Sequence, residues 1–498
     1  MTKDLAVIIA GRFLQAVLGI AALRVMTALL SPAQVGSVFL VLSFATGFAF
    51  LFINPLGMYI NRKLHAWHGA KTIIPRFFLF NLYVAVVACA ALLTTVAAKK
   101  VLGTGAGLPD WSFAALVAAY VYFNTWNMTL VPSLNMLGYR VSFVAYSVLT
   151  TGFGLVFSVL AVNKLSPTVF SWLSGQVAAM FLISLAALYS LSRNTGEALA
   201  LPKNPFSEVN RESARGVLDF ALPLSGATIF MWMQNQGYRL IVEMKAGAEF
   251  LGYLAVGLGI AASLAAVSES LVQQIYFPGF YKRISSGGAE ERKEALAELS
   301  AKTIPVYVIL LFFTVSVSAQ LTGLLVDPKF HNAVKFVAFG SLVEFLRMAA
   351  NIISSAAHSE MRTKTLIKPY AAGGLVTCAA VFAASGSPSR ETLIPLAMIL
   401  GGLVTLAAIR LETARVVSFS LNRKLVLKTV ACSAPLLVFI LFRELVSPAW
   451  SFAILSAAGL YFLFLQYLVA FRWTPGLRGA APAGLEAPVA GTPGEYAA

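Results

Sequence analysis

From Leu5 to Phe471 the chain is almost wholly a succession of apolar segments, each about 18–29 residues long and separated by short polar breaks. The hydrocarbon core of a bilayer is about 30 Å thick, and a helix rising about 1.5 Å per residue crosses it in roughly 20 residues. Backbone inside lipid must satisfy its own N–H and C=O groups, which a helix does alone and an open strand does not. The segments therefore predict an all-α polytopic membrane protein. Fourteen spans are expected, at about 5–30, 35–60, 76–98, 111–137, 141–163, 167–192, 217–242, 250–278, 303–326, 332–357, 365–385, 392–409, 425–446 and 449–471. Composition agrees: 58% of the 498 residues are hydrophobic and only 12% charged. No cleavable signal is expected, because the first four residues lead straight into a segment too long for a signal-peptide core.

A net charge of +16 invites a nucleic-acid reading, but the distribution of the cations opposes it. With the N-terminus placed in the cytoplasm, the segments on that side hold 25 of the 37 Lys and Arg, and those on the opposite side hold 8. This is the positive-inside pattern, which places both termini in the cytoplasm and makes the charge a matter of topology. Cys89, Cys378 and Cys432 all lie in apolar segments, so neither a disulfide nor a metal framework is expected. No Gly-x-x-x-x-Gly-Lys-Ser/Thr loop and no His-Glu-x-x-His spacing occurs, which argues against an ATP motor or a zinc site. The longest predicted external loop, 99–110, is too short for a catalytic domain. A membrane polymerase or ligase is therefore disfavoured, and transport is left.

The chain divides into related halves. Arg24-Val-Met-Thr-Ala-Leu-Leu-Ser-Pro-Ala-Gln-Val-Gly36 is matched by Arg239-Leu-Ile-Val-Glu-Met-Lys-Ala-Gly-Ala-Glu-Phe-Leu-Gly252, one residue longer. Each arginine lies near the outer end of a helix, and each Gly opens the next one. Six spans per half is an even number, so the repeats are parallel, with a site expected between them. The expected organisation is an N-lobe at 1–192, a linker at 193–216, a C-lobe at 217–412, two appended helices at 413–473 and a disordered tail at 474–498. The 285–302 segment reads as a short, solvated cytoplasmic helix.

Four arginines, Arg12, Arg24, Arg239 and Arg347, interrupt spans that are otherwise apolar. A cation at the centre of a membrane helix costs about 2.5–3.5 kcal/mol, while each Leu, Ile, Phe or Val returns only about 0.3–0.6 kcal/mol. Such cations need a partner or a hydrated cavity. Glu344 lies one turn from Arg347 and can neutralise it. Within the spans as bounded above, no acid stands three or four residues from Arg12, Arg24 or Arg239, so their partner comes from another helix or from an anionic ligand. Asp219 and Glu269 are the nearest intramembrane candidates. Polar residues align at helical spacing: Ser225, Thr228, Trp232, Asn235, Gln236 and Arg239 in span seven; Glu344, Arg347, Asn351 and Ser354 in span ten; Tyr120, Asn124 and Asn127 in span four; Glu269, Gln273 and Tyr276 in span eight. Ser and Asn at such positions also serve as ordinary glue between membrane helices.

Leu29-Leu30-Ser31-Pro32-Ala33-Gln34-Val35-Gly36, with the helix behind it and Pro55-Leu-Gly-Met-Tyr-Ile-Asn-Arg62, resembles the Wzx-type flippases. These belong to the polysaccharide branch of the multidrug/oligosaccharidyl-lipid/polysaccharide exporter superfamily. The resemblance implies a MATE-like V of two six-helix lobes in the bacterial inner membrane, alternating access around a cationic cavity, and no enzymatic activity. The implied substrate is an undecaprenyl-pyrophosphate-linked oligosaccharide for exopolysaccharide or surface-antigen assembly. Arg12, Arg24, Arg239 and Arg347 are then expected at the pyrophosphate, and Asn124, Asn127, Trp232, Asn235 and Gln236 at the sugars. Glu269 or Glu344 would couple a proton or sodium gradient, with no other cofactor. Expected partners are membrane lipid, a polysaccharide polymerase, and chain-length or export proteins. A peptidoglycan-precursor flippase and a cation-coupled drug exporter are the alternatives, the latter disfavoured because cationic drugs call for acids rather than arginines.

Overall fold

The computed structural model describes residues 3–199, 211–286, 288–360, 362–415, 417, 419–444 and 447–473, and every regular element among them is helical. The centre of the expected linker and the expected disordered tail lie outside these residues. The first lobe contains α1 (Lys3–Leu29), α2 (Pro32–Gly69), α3 (Ile73–Leu102), α4 (Asp110–Met136), α5 (Arg140–Lys164) and α6 (Val169–Thr195). The second contains α7 (211–246), α8 (Ala248–Ser286), α9 (Ala289–Ser316), α10 (Val334–Ser359), α11 (Ile367–Ser385) and α12 (Arg390–Ala414). α13 (Arg423–Phe442) and α14 (Pro448–Trp473) follow and pack on α9. Twelve helices among the described residues are long and apolar enough to cross a membrane. The two further runs, α4 and α7, carry the polar stripes of spans four and seven.

Packing follows the two halves. α1 lies along α5, α3 along α4, and α4 and α5 along α6; α8 lies along α10, α9 along α10, and α11 along α12. Local signals set the breaks. Ser31 accepts the Gln34 N–H at 3.3 Å ahead of Pro32, opening α2. Gly103, at φ 73°, closes α3 in the left-handed conformation that suits glycine. The helices extend past the expected spans, most of all α2 and α8, because polar residues continue a helix beyond the lipid. The expected short helix at 285–302 is instead the first half of α9. The apolar run expected at 303–326 breaks at Val317, and a short separate helix, Ser318–Leu325, follows.

Two helices carry a wide turn at mid-length. α2 is π-helical at Ala49–Ile53, just before Pro55, and α7 is π-helical at Met233–Gly237. A π-turn and a proline both release backbone carbonyls. Here side chains take them up: Phe50 O accepts from Thr228 Oγ1 at 2.5 Å, Phe52 O from Tyr83 at 3.0 Å, and Met233 O lies 3.6 Å from Cys378 Sγ.

Candidate functional site

The lobes meet along α2, whose first half packs against α8 and whose middle packs against α7. At the lysine- and arginine-poor end the seam is closed around Gly36 and Gly252, the two glycines matched by the repeat. A Cβ on Gly36 would run into the carbonyl oxygen of Ala248, and one on Gly252 into that of Pro32. Deeper in, α7 crosses to α2 through its side chains. Trp232 donates its indole N–H to Ser43 O at 3.0 Å and lays its ring over Gly47, and Thr228 reaches Phe50. Trp232, expected at the sugars, is thus spent on the seam.

The arginines divide into two kinds. Arg347 is neutralised: its Nε donates to Glu344 at 2.7 Å and its Nη2 to Glu269 at 2.6 Å, while Asn351 donates to the second Glu269 oxygen at 3.0 Å. The three charged side chains are 29%, 17% and 15% exposed, so α8 and α10 hold a partly buried triad with two acids on one base. The expected Glu344 partner is present, and Glu269 joins it from another helix. Arg347 therefore has two of its donor edges occupied before any ligand arrives.

Arg12, Arg24 and Arg239 make no ion pair with any described residue. Arg12 is exposed, 3.3 Å from Gln15 and 5.5 Å from the centre of the Phe143 ring. Arg24 is half-buried, and its Nη1 is buried without a hydrogen-bond partner. Arg239 is half-buried and crosses the seam to stack over Phe39 of α2 at 5.1 Å, also lying 5.8 Å from its neighbour Tyr238, whose hydroxyl accepts its Nε at 3.3 Å. Stacking leaves the terminal guanidinium nitrogens free to donate in the ring plane. Neither suggested acid serves these cations: Asp219 lies 3.8 Å from Arg215 on the exposed face of α7, and Glu269 belongs to the triad.

One acid escaped the sequence reading. Glu243 stands four residues after Arg239, just beyond the span end drawn at 242. It does not pair with Arg239. Its two oxygens accept the Gly105 N–H, both at 3.0 Å, in the turn between α3 and α4, and only 8% of the residue is exposed. The expected sugar ligands also separate. Asn127 is buried and donates to Thr150 of α5 at 3.1 Å, which makes it glue within the first lobe. Asn124, Asn235 and Gln236 are half-buried and make no side-chain hydrogen bond to another described residue.

An all-helical, two-lobed membrane protein with unpaired arginines near its seam is the class that fold and site define. No protein-family model and no curated protein matches the chain in sequence. Solved structures do match. "Lipid II flippase MurJ, inward closed conformation" shares 12% identity over 93% of this chain and 98% of its own, with a TM-score of 0.66. An inward-facing multidrug-resistance MATE transporter of the MOP superfamily shares 14% identity over 81% and 95%, at 0.61. An outward-facing one shares 13% over 86% and 93%, at 0.54. The likeness establishes the fold, which is MATE- and MurJ-like.

Proposed function

We propose that the chain is a flippase for an undecaprenyl-pyrophosphate-linked oligosaccharide, working by alternating access with its basic end in the cytoplasm of the bacterial inner membrane. The carrying observation is that Arg24 and Arg239, each in a membrane helix at a repeat-related position, have no acidic partner among the described residues. Unpaired guanidinium groups in a low-dielectric setting favour a doubly charged ligand that accepts paired hydrogen bonds, and a pyrophosphate is such a ligand. Asn124, Asn235 and Gln236 retain free amide groups for sugar hydroxyls. The Glu269–Arg347–Glu344 triad carries one surplus negative charge when all three are ionised, which suits a proton or sodium ion as the coupling species.

A second reading, a peptidoglycan-precursor flippase, is favoured by the nearly full-length structural likeness to MurJ, over 93% of this chain and 98% of that one. Both readings use the same arginines and differ in the sugar.

The test is export in a deletion strain carrying the gene on a plasmid. Arg24→Ala and Arg239→Ala are each expected to lower export by about 10–100-fold at unchanged protein level, as loss of a charge-assisted anion contact predicts. Normal export by the stable double variant would overturn the anion-site reading. The lipid-linked species that accumulates separates the two readings.

A further inference from the structure

The closed end of the seam repeats one arrangement twice. α1 ends on the opposite lobe: Thr27 Oγ1 accepts the Asp327 N–H at 3.1 Å, and Lys329 Nζ donates to Ala28 O at 2.9 Å. Asp327 and Lys329 lie between α9 and α10. α7 likewise ends on the opposite lobe, where Glu243 takes the Gly105 N–H of the turn between α3 and α4. The repeat relates α1 to α7, and the α3–α4 turn to the α9–α10 segment. Each lobe thus grips the other's turn, and the Gly36–Gly252 crossing lies between the two grips.

The two grips use different chemistry. Glu243 is held by a turn in which Gly103 and Gly105 both have positive φ, 73° and 68°. That backbone points N–H groups at one spot, a shape that receives an anion. Lys99, in the last turn of α3, braces the same turn by donating to Leu108 O and pairing with Asp110 at 3.0 Å. The other grip uses a hydroxyl and a lysine. Neither grip nor crossing is needed inside a lobe, since α1, α7 and both turns have their own partners there.

The arginines are one turn away. Arg24 precedes Thr27 by three residues and Arg239 precedes Glu243 by four, roughly 4.5 and 6 Å along the respective helices.

We propose that Glu243 with the 103–106 turn, and Thr27–Ala28 with Asp327–Lys329, are paired latches that hold this end of the transporter shut around the Gly36–Gly252 crossing. Opening this end requires both latches to release, and each latch lies on the helix that carries an unpaired arginine. Ligand at Arg24 and Arg239 therefore bears directly on the two helices that must let go. The latches rest on the alternating-access reading above. Their test reads conformation without substrate, so that failure of the latches and failure of the substrate reading are separable.

The experiment uses the full chain in nanodiscs, with Cys89, Cys378 and Cys432 replaced by alanine. Spin labels are placed at Val101→Cys and Leu393→Cys, exposed positions at the latched end of opposite lobes. Double electron–electron resonance is expected to give one main separation in the parent. Gly36→Ala and Gly252→Ala each insert a methyl group where backbone already stands, and the longer-separation population should rise about tenfold. Glu243→Ala and Lys329→Ala should each raise it severalfold, and together more than either alone. Gly259→Ala, in open space on α8, is the control and should leave the distribution unchanged. Parent-like distances in Gly36→Ala and in the Glu243→Ala, Lys329→Ala double variant would overturn the proposal. If the glycine variants fail to fold, the double latch variant alone decides it, because truncating these side chains adds no atom to the seam.

Discussion

Arg347 and Arg239 show how differently the same residue can be used inside a membrane. Arg347 sits between two acids, so removing its charge leaves two carboxylates facing each other in a partly buried site. Arg347→Met is expected to destabilise the second lobe by about 3–5 kcal/mol, the usual cost of stranding one side of a buried pair. Thermal unfolding in detergent checks it, and Glu269→Gln combined with Arg347→Met should recover part of the loss. An additive double variant would show that the triad is not a unit. Arg239 instead stacks on Phe39 with its terminal donors unspent. Arg239→Lys keeps the charge and loses the planar fork, so export should recover only partly relative to Arg239→Ala. Half of this was legible in the sequence. The Glu344 partner lies on the same helix at a fixed spacing, whereas Glu269 comes from a helix some 78 positions earlier and no spacing rule reaches it. Glu243 was hidden by a span boundary one residue too early, since the hydropathy signal fades before the helix does.

At the scale of elements, long apolar runs were readable because lipid forces nearly every residue of a span to be apolar, whatever its neighbours. Pairing between helices was not, because Leu against Leu and Leu against lipid look alike in sequence. The π-turns at 49–53 and 233–237 left no local signal beyond Pro55. The α11–α12 crossing shows what does decide a membrane contact. A Cβ on Gly373 would meet Thr405 Oγ1, one on Gly401 would meet Thr377 Oγ1, and Thr405 hydrogen-bonds to Gln234 of α7 at 3.0 Å. Small residues let two backbones approach closely where no hydrophobic force draws them together. Gly401→Ala should therefore cost about 1–3 kcal/mol by overpacking. Thr377→Ala in the same chain should return part of it, since the Thr377 hydroxyl is buried without a hydrogen-bond partner and is the atom nearest the added methyl, while the Thr377 Cβ and Gly373 O stay close. A thermal-unfolding cycle over the four variants reads the coupling, and strictly additive shifts would show that the two helices relax independently.

For the whole molecule, the charge asymmetry and the latched seam bear on the same question of sidedness. Three of the cross-lobe contacts gather at the end with few cations: the 103–109 turn, the glycine crossing and the 327–329 segment. The opposite end carries Arg292 with Glu360, and Glu298 held by both Arg283 and Lys302. These pairs stay inside the second lobe and do not bind it to the first. Lysine and arginine near span ends are retained on the cytoplasmic side during insertion, so the latched end should face away from the cytoplasm. A membrane-impermeant maleimide applied to intact cells should then label Gly107→Cys, which is exposed in the α3–α4 turn. Lys293→Cys, 42% exposed on the charged first half of α9, should react only after the membrane is permeabilised. Labelling of Lys293→Cys alone in intact cells would invert the orientation. The latches would then guard the cytoplasmic mouth, and a substrate made in the cytoplasm would find this conformation shut against it.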